Sequence, residues 1–596
     1  MTAMRRGIIA MAGMAVCVLL LSVFFQDVGN RTGVLRYQQH REQPSEEALG
    51  PCAACGGAGE LCTHLPIIRI ETGGQTIPGR PYEGPDGATA GHYTGDFGEE
   101  EIQVRFSTVS REGVWHHGDD TPTEEGTALF RYRGNSSRWF TKGSFRLRTV
   151  EEDDPLTARR LGLLGMKEGK EWALHGPFLD KTLMRNYMCM NLSAEVMGTW
   201  VPDTRFCEVI LDGEYQGVYL LMETINVDDN RLDLREYTPG DPVLSYLIRI
   251  EPFTNPGKVL NNFSLYTYRM ESGRHLELLY PGVVNQTRQV RDYVQADYNE
   301  AERLLYSVEM LDGSGRWRQE LDMESFVNYY ILMEFFGIND TFSASTYFYR
   351  DVRGKLSIGP VWDYNNAFDN FFTPISSREF LLSQRSWFAK LMQDEDFVER
   401  VISRYRQLRR GVLSEERLLA YEKEIEAWLG GAVDRNFAVW GWSFDPEQLS
   451  PRERQRPDPA TGESRTTVLQ GGEMAEFVVY PQGQTGERCD IIRQSYAEEH
   501  IDGFVLVELV KDRTLCEKIH ADSSLDVLGH FDQSSAQKQL ERDQAAMAET
   551  LREMEQALST QDNRVSQDPV WDSGSKDSGG SRDDSSDSGS RDDTVF

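Results

Sequence analysis

Asp363 and Asp340 are the two acids in this chain whose placement suggests chemistry. Asp363 closes the apolar stretch IGPVW and enters a turn of Tyr364, Asn365 and Asn366, while Asp340 follows an apolar helical run in FFGINDTFSASTYFYRD. An acid at such a point is commonly a backbone cap and nothing more. Here, however, STYFYR and the run ending at Trp362, joined by a turn at 352–355, predict a hairpin whose strands return to one level. That geometry lets the two carboxylates approach one another. Paired acids at one end of a sheet, near a cationic face, suit metal-assisted phosphoryl transfer.

The cationic face is sought in RYRGNSSRWFTKGSFRLR. If strands flank the GNSS turn, alternation puts Phe145 and Leu147 on the core side and Lys142, Arg146 and Arg148 on the other, joined by Arg131 and Arg133. Gly134, Asn135, Ser136 and Ser137 form a turn of small and polar residues whose backbone N–H groups can approach an anion. The plainer reading is a solvated sheet face. Glu195 is the remaining candidate. It lies beside the stripe Met184, Met188, Leu192 and Val196, near the C-terminal end of a helix predicted over Asp180–Gly198, and a carboxylate there calls for a cationic partner. An exposed glutamate gives the same pattern.

Positioning these groups requires a large core, and 596 residues exceed one compact core and leave room for appendages. The formal charge of −32 repels nucleic-acid phosphates wherever no local basic patch compensates, which argues against nucleic acid as a partner. From Leu65, IIRIET, EIQVRF, ALFRYR and SFRLRTV alternate at strand period, as do RFCEVILDGEYQGVYLLMETI, YLIRIE and LELLY. After Tyr293 the pattern turns helical, in AERLLYSVEMLDG, MESFVNYYILMEFFG, FVERVISRYRQLRRGVL and EERLLAYEKEIEAWLGGAV. The prediction is an α+β fold with two lobes, β-rich first and helical second, and a cleft between them.

The flanks divide by composition. Residues 1–30 carry Arg5 and Arg6 before an uncharged run from Gly7 to Phe25, which predicts a transmembrane helix anchoring a single-pass protein with its bulk outside the cytoplasm. Residues 31–64 read as a Cys-containing stalk. Cys52, Cys55 and Cys62 followed by His64 have the ligand types of a zinc site with three cysteines and one histidine, and a disulfide fits them as well. The main domain spans 65–445, a linker and small β appendage 446–530, an exposed helix 531–560 with a short apolar stripe over 537–558 that offers self-association, and a Ser/Asp-rich disordered tail 561–596.

Five stretches in series, RGNSSRWFTKGSF, WALHGPFLDKTLMRNYMCMNLSAEVMG, FCEVILDGEYQGVYLLMETINVDDNRLDL, FGIND and IGPVWDYNNAFDN, resemble the CotH family of spore-coat-type protein kinases over roughly residues 65 to 430. The resemblance implies an atypical kinase-like fold that transfers phosphate from ATP, with Mg²⁺ or Mn²⁺, to serine-rich protein segments. It implies that Asp363 binds metal and that Asp340 orients or deprotonates the acceptor hydroxyl. Lys142 with Arg146 or Arg148 then contacts phosphate, and Glu195 pairs with Lys142. Arg185 and Asn186 belong to the family's helix motif, and Glu223 sits where the lobes would connect. Two positions depart from the family pattern: Asn365 replaces an acid, and Ser345 an amide. Neutral donors bind a hard cation less well, with Asn366 or Asp369 as substitutes, so a kinase-like interaction protein without turnover is the alternative function. A metal-dependent phosphohydrolase or nucleotidyl transferase using the same acids is a third reading. The tail, with many serines flanked by Asp, is a candidate acceptor tethered to the domain.

Overall fold

The alternating strands between Ile67 and Glu223 close on themselves. The computed structural model describes residues 36–55, 61–83, 89–252, 259–260, 275–306, 310, 315–352, 354–368, 380–383 and 385–440. Seven strands form a closed barrel: β2 (Ile67–Glu71), β5 (Ile102–Val109), β7 (Glu124–Tyr132), β8 (Phe145–Val150), β9 (Glu171–His175), β10 (Thr204–Leu211) and β11 (Glu214–Glu223). The seam is the parallel pairing of β10 with β2, Glu208 opposite Ile67. In β5, Ile102, Val104 and Phe106 point inward while Gln103 and Arg105 face solvent. With Phe130, Phe145, Leu147, Trp172, Leu174, Val209 and Leu221 they fill the barrel. Two short ladders decorate it, β1 (Cys62–Thr63) with β6 (His116–His117) and β3 (Pro81–Glu83) with β4 (Thr89–His92).

YLIRIE and LELLY do not extend the barrel. They become β12 (Tyr246–Glu251) and β14 (His275–Tyr280) of a second sheet with β13 (Val259–Leu260), β15 (Thr346–Arg350) and β16 (Ser357–Ile358), in the order β13-β14-β12-β15-β16. The central strand β12 pairs with β15 through Ile248 opposite Phe348. Pairing partners far apart in the chain are set by which apolar faces bury together, and local alternation does not report them.

Ten helices are described: α1 (Gln39–Glu42), α2 (Glu46–Leu49), α3 (Arg185–Val196), α4 (Arg288–Tyr306), α5 (Trp317–Glu320), α6 (Met323–Phe336), α7 (Ser386–Leu391), α8 (Glu395–Arg409), α9 (Glu415–Leu429) and α10 (Gly431–Trp440). The molecule is thus α+β, β-rich first and mainly helical after Arg288, with the second sheet set among the helices. Both α3 and α6 are buried almost all round, which is why neither has a solvent face. The helix predicted from Asp180 starts only at Arg185. Leu183 adopts a positive φ of 65°, and Asp180 turns back to accept the Arg185 N–H at 2.8 Å, so the carboxylate caps the helix from the preceding loop.

The segment before β1 packs against the rest of the domain. Arg36 donates to the carbonyls of Val201 and Pro202, Gln39 exchanges hydrogen bonds with the Phe206 backbone, Tyr421 donates to Gln38, and Glu46 pairs with Arg435 of α10.

The membrane expectation is corrected. Among the described residues no helix is long and apolar enough to cross a membrane, and the Gly7–Phe25 run on which the transmembrane element rested lies outside those residues. The membrane-anchored part of the fold class and the extracytoplasmic placement are therefore withdrawn. The expected linker, appendage, helix over 537–558 and tail also lie outside the described residues, as does Asp369.

Candidate active site

The turn from Asp363 to Ala367 is clamped by the N-terminal end of α3. Arg185 Nε donates to the Ala367 carbonyl at 2.8 Å, the Tyr364 N–H donates to Asn186 Oδ1 at 2.9 Å, and Asn186 Nδ2 donates to Asn365 Oδ1 at 2.5 Å. Further along, the Ser193 and Tyr364 hydroxyls share a hydrogen bond of 2.7 Å, and the Phe368 N–H donates to the Phe336 carbonyl at the end of α6. Arg185 and Asp180 form a buried ion pair at 2.5 Å, both side chains 2% exposed. Buried polar groups at this density are tolerated because each has a partner.

The β15–β16 hairpin, registered through Phe348 opposite Ile358, carries Asp340 before its first strand and Asp363 after its second. Adjacent asparagines hold the two acids: Asn365 Nδ2 donates to Asp363 Oδ1 at 2.5 Å, and Asn366 Nδ2 to Asp340 Oδ2 at 3.0 Å. Asp363 is pushed up to about 6, first by burial and then by the negative charges of Asp340 and Glu251, against the pull of Arg133. Phe342, Ser345, Asp363 and Phe368 all have positive φ. Non-glycine residues hold that conformation only where the surroundings over-determine it, and such strain gathers at functional sites. The loop at Asp340 is braced by Arg385, which donates to the Asn339 carbonyl and to Asn339 Oδ1.

Glu251, at the end of β12, is a third acid that the sequence had shown only as a strand residue. Asn135 Nδ2 donates to its Oε1 at 2.5 Å, and the Ser345 N–H faces its Oε2 at 3.5 Å. Burial raises its pKa while Arg249 opposes the rise. A carboxylate ending a strand looks like any solvated glutamate in sequence, so there was no signal to find it by.

The cations divide. Arg133 is close enough to pull on Asp363, with its guanidinium 5.3 Å from the centre of the Trp362 ring. Gly134 turns the chain there at φ 101°, and a side chain at that position would collide with Ser137 Oγ. Ser136 lies in the 3-10 turn Ser136–Trp139 that follows. Arg131, Arg146 and Arg148 instead converge on Glu101, with Arg146 also pairing with Glu171, so their charge is spent on the barrel wall.

Lys142 and Glu195 are not brought together. Lys142 is buried, donating to the Val218 carbonyl at 2.7 Å and to Asn436 Oδ1 at 2.6 Å, and it ties α10 to the barrel. Glu195 takes its cation from α9, Arg417, at 2.6 and 2.8 Å. Charge at a helix end can be answered from any neighbouring element, and here a helix supplied it. Glu223 pairs with Arg231 at 2.8 Å and accepts from the Asp203 N–H.

Of the proposed metal donors, Asp363 keeps its charge for a cation. Asn365 uses its amide nitrogen on Asp363 and its oxygen on Asn186, so it positions the acid, and Asn366 likewise spends its nitrogen on Asp340. Burial and the negative charges of Asp340 and Glu251 raise the proton affinity of Asp363, and a hard divalent ion bound to its carboxylate would relieve that crowding; among the described residues the three acids do not meet the spacing of one shared ion site.

His175, at the end of β9, links the barrel to this clamp through Asn186 at 3.3 Å and Ser144 at 3.4 Å. Burial lowers its pKa to about 3, and burial does the same to His40, which sits 3.0 Å from the Tyr187 hydroxyl. Both rings are neutral when folded, whereas unfolded histidine titrates near 6.5. Stability is therefore complete above about pH 6.5 and is lost as pH falls towards 3, at roughly 1.4 kcal/mol per pH unit for each ring. Urea unfolding between pH 7 and pH 5 should show this loss, and His40→Gln, which cannot take up the proton, should flatten the slope.

A family model described as CotH kinase protein matches residues 130–455, and the acids, Arg133 and the α3 clamp all lie within that span. No curated protein matches the chain.

Proposed function

The chain belongs to the CotH kinase family, and from that premise we propose that it transfers the terminal phosphate of ATP to serine-rich protein segments at the site built around Asp340 and Asp363. The observation that carries this reading is the pair of acids, one from each end of the hairpin, bonded by the adjacent asparagines Asn365 and Asn366, with Asp363 raised to about 6.

In this reading Asp363 would hold Mg²⁺ or Mn²⁺, which when bound neutralises charge on the phosphates, with Asp340 and Glu251 adding negative charge to its surroundings. Asp340 accepts a hydrogen bond from the acceptor hydroxyl, aligns its oxygen with the terminal phosphorus and takes its proton as the new oxygen–phosphorus bond forms and the bond from that phosphorus to the bridging oxygen breaks, releasing ADP. Asn135 on the GNSS turn and Arg133 just before it bind phosphate oxygens, Arg133 through charge-assisted hydrogen bonds. Glu251 supplies negative charge that Asn365 and Ser345 do not. The α3 clamp keeps the turn from moving as charge shifts, so little reorganisation is left for the reaction itself.

The test is incubation of the full chain with ATP labelled in the terminal phosphate, Mn²⁺ and a peptide copy of residues 561–596 as acceptor. Label in the peptide supports the proposal. Nucleotide binding without transfer favours the interaction-protein reading, and label in the peptide from a parallel incubation with ATP labelled in the α-phosphate, the mark of nucleotide-moiety transfer, overturns the kinase. Arg133→Ala should raise the KM for ATP about tenfold to a hundredfold, the worth of a hydrogen bond to a charged group. Lys142→Met should lower stability and leave that KM nearly unchanged, because Lys142 contacts Val218 and Asn436.

A further inference from the structure

The cysteine cluster acquires a fourth member that spacing could not name. His64 turns away from it: its Nδ1 faces Glu46 at 3.4 Å and its ring packs edge-on against Trp428 at 5.0 Å. His117 takes that place, because β1 and β6 pair with Cys62 opposite His117. The sulfurs of Cys52, Cys55 and Cys62 and a His117 ring nitrogen all lie within 4.8 Å of one another, and Cys52 Sγ is 3.4 Å from His117 Nε2.

A tetrahedral zinc with bonds of about 2.3 Å to sulfur and about 2.0 Å to nitrogen has edges of about 3.8 Å between sulfurs and about 3.5 Å between sulfur and nitrogen. The cluster has that size. A disulfide would instead place two sulfurs about 2.0 Å apart and leave an odd thiol, whereas all three cysteines are free. The surroundings also suit a metal. The N–H groups of Ala54 and Cys55 donate to the Cys52 sulfur, and Asp120 Oδ2 accepts the His117 backbone N–H at 3.0 Å and faces the ring's Nδ1 at 3.7 Å. A carboxylate behind a ligating histidine orients the ring and raises its basicity.

We propose that Cys52, Cys55, Cys62 and His117 form a closed structural zinc site that pins the N-terminal segment to the barrel. Four protein ligands leave no open position, so the ion is a staple and not a reagent. It closes the chain between the contacts of residues 36–46 with α3, α9 and α10 and the first barrel strand. The inference is independent of the kinase reading.

Elemental analysis of the full chain, dialysed without chelator, should find one zinc per chain. Cobalt substitution should give the intense thiolate charge-transfer and d–d bands of a tetrahedral centre with three thiolates and one imidazole. Cys62→Ser should lose the metal. His117→Cys should keep one ion and move the cobalt bands to those of an all-thiolate centre, which tests the assignment in a variant that need not misfold. Cobalt bands unchanged in His117→Cys, zinc retained at full stoichiometry in Cys62→Ser, or metal-free protein with a disulfide mapped within the cluster would each overturn the proposal.

Discussion

Asp363→Asn is expected to lower phosphoryl transfer by about a hundredfold to a thousandfold or more and, at neutral pH, to leave the metal-free protein more stable than before. The two effects have one origin. Asp363 is held in a partly desolvated turn beside Asp340 and Glu251, and its carboxyl is pushed up to about 6. Above that pH the folded protein carries a charge that is better solvated when the chain is unfolded. The sign follows: with the folded value above the ordinary 3.8, this group's contribution is complete below about pH 3.8 and is lost as pH rises through 6. Asparagine removes the charge, keeps the shape and tolerates the positive φ of 65° that the turn requires. A gain of order 1–3 kcal/mol at pH 7.5, shrinking by pH 5, is the expected size once solvent screening is allowed for. Label transfer and denaturant unfolding on the same preparations check both halves. Retained transfer would remove Asp363 from the chemistry, and a variant less stable at pH 7.5 would remove the account of crowded charge.

The second large effect is structural. Arg185→Ala should cost about 3–5 kcal/mol, because it strands the Asp180 carboxylate in a site where both side chains are 2% exposed. The same change deletes the hydrogen bond to the Ala367 carbonyl, so the Asp363 turn loosens and transfer falls with stability. Pairing it with Asp180→Asn separates these causes. In the double variant the stranded charge is gone, so much of the stability returns, while transfer stays low because Ala367 is still unheld. Denaturant unfolding showing a loss below about 1 kcal/mol for Arg185→Ala would mean that the pair is not the clamp described.

These expectations tie the family's helix motif to its acidic turn. Between them Arg185 and Asn186 hold Ala367, Tyr364 and Asn365. They are positioning residues. Replacing an acid by Asn365 changes what the turn can offer a cation, but it adds a donor that orients Asp363.

Much of the architecture was open to reading from the chain alone. Strand alternation in EIQVRF and ALFRYR and helical spacing in MESFVNYYILMEFFG mark elements the structure contains, because burying one face imposes a period that nearest neighbours carry. The hairpin between Asp340 and Asp363 was legible for the same reason. Partner choice was not. Arg417 answers Glu195, Asn436 takes Lys142, Glu101 gathers three arginines, Asn135 takes Glu251, and His117 displaces His64 among the cysteines. In each case the deciding contact joins segments distant in the chain, and its free energy is the pairing gain left after both groups lose their water. Sequence by itself therefore determined which segments are strands or helices and which residue types could do chemistry. Only the closing of the barrel and the packing of α3 beneath the turn decided which of them meet, because a periodic pattern records burial of a face and not the identity of what buries it.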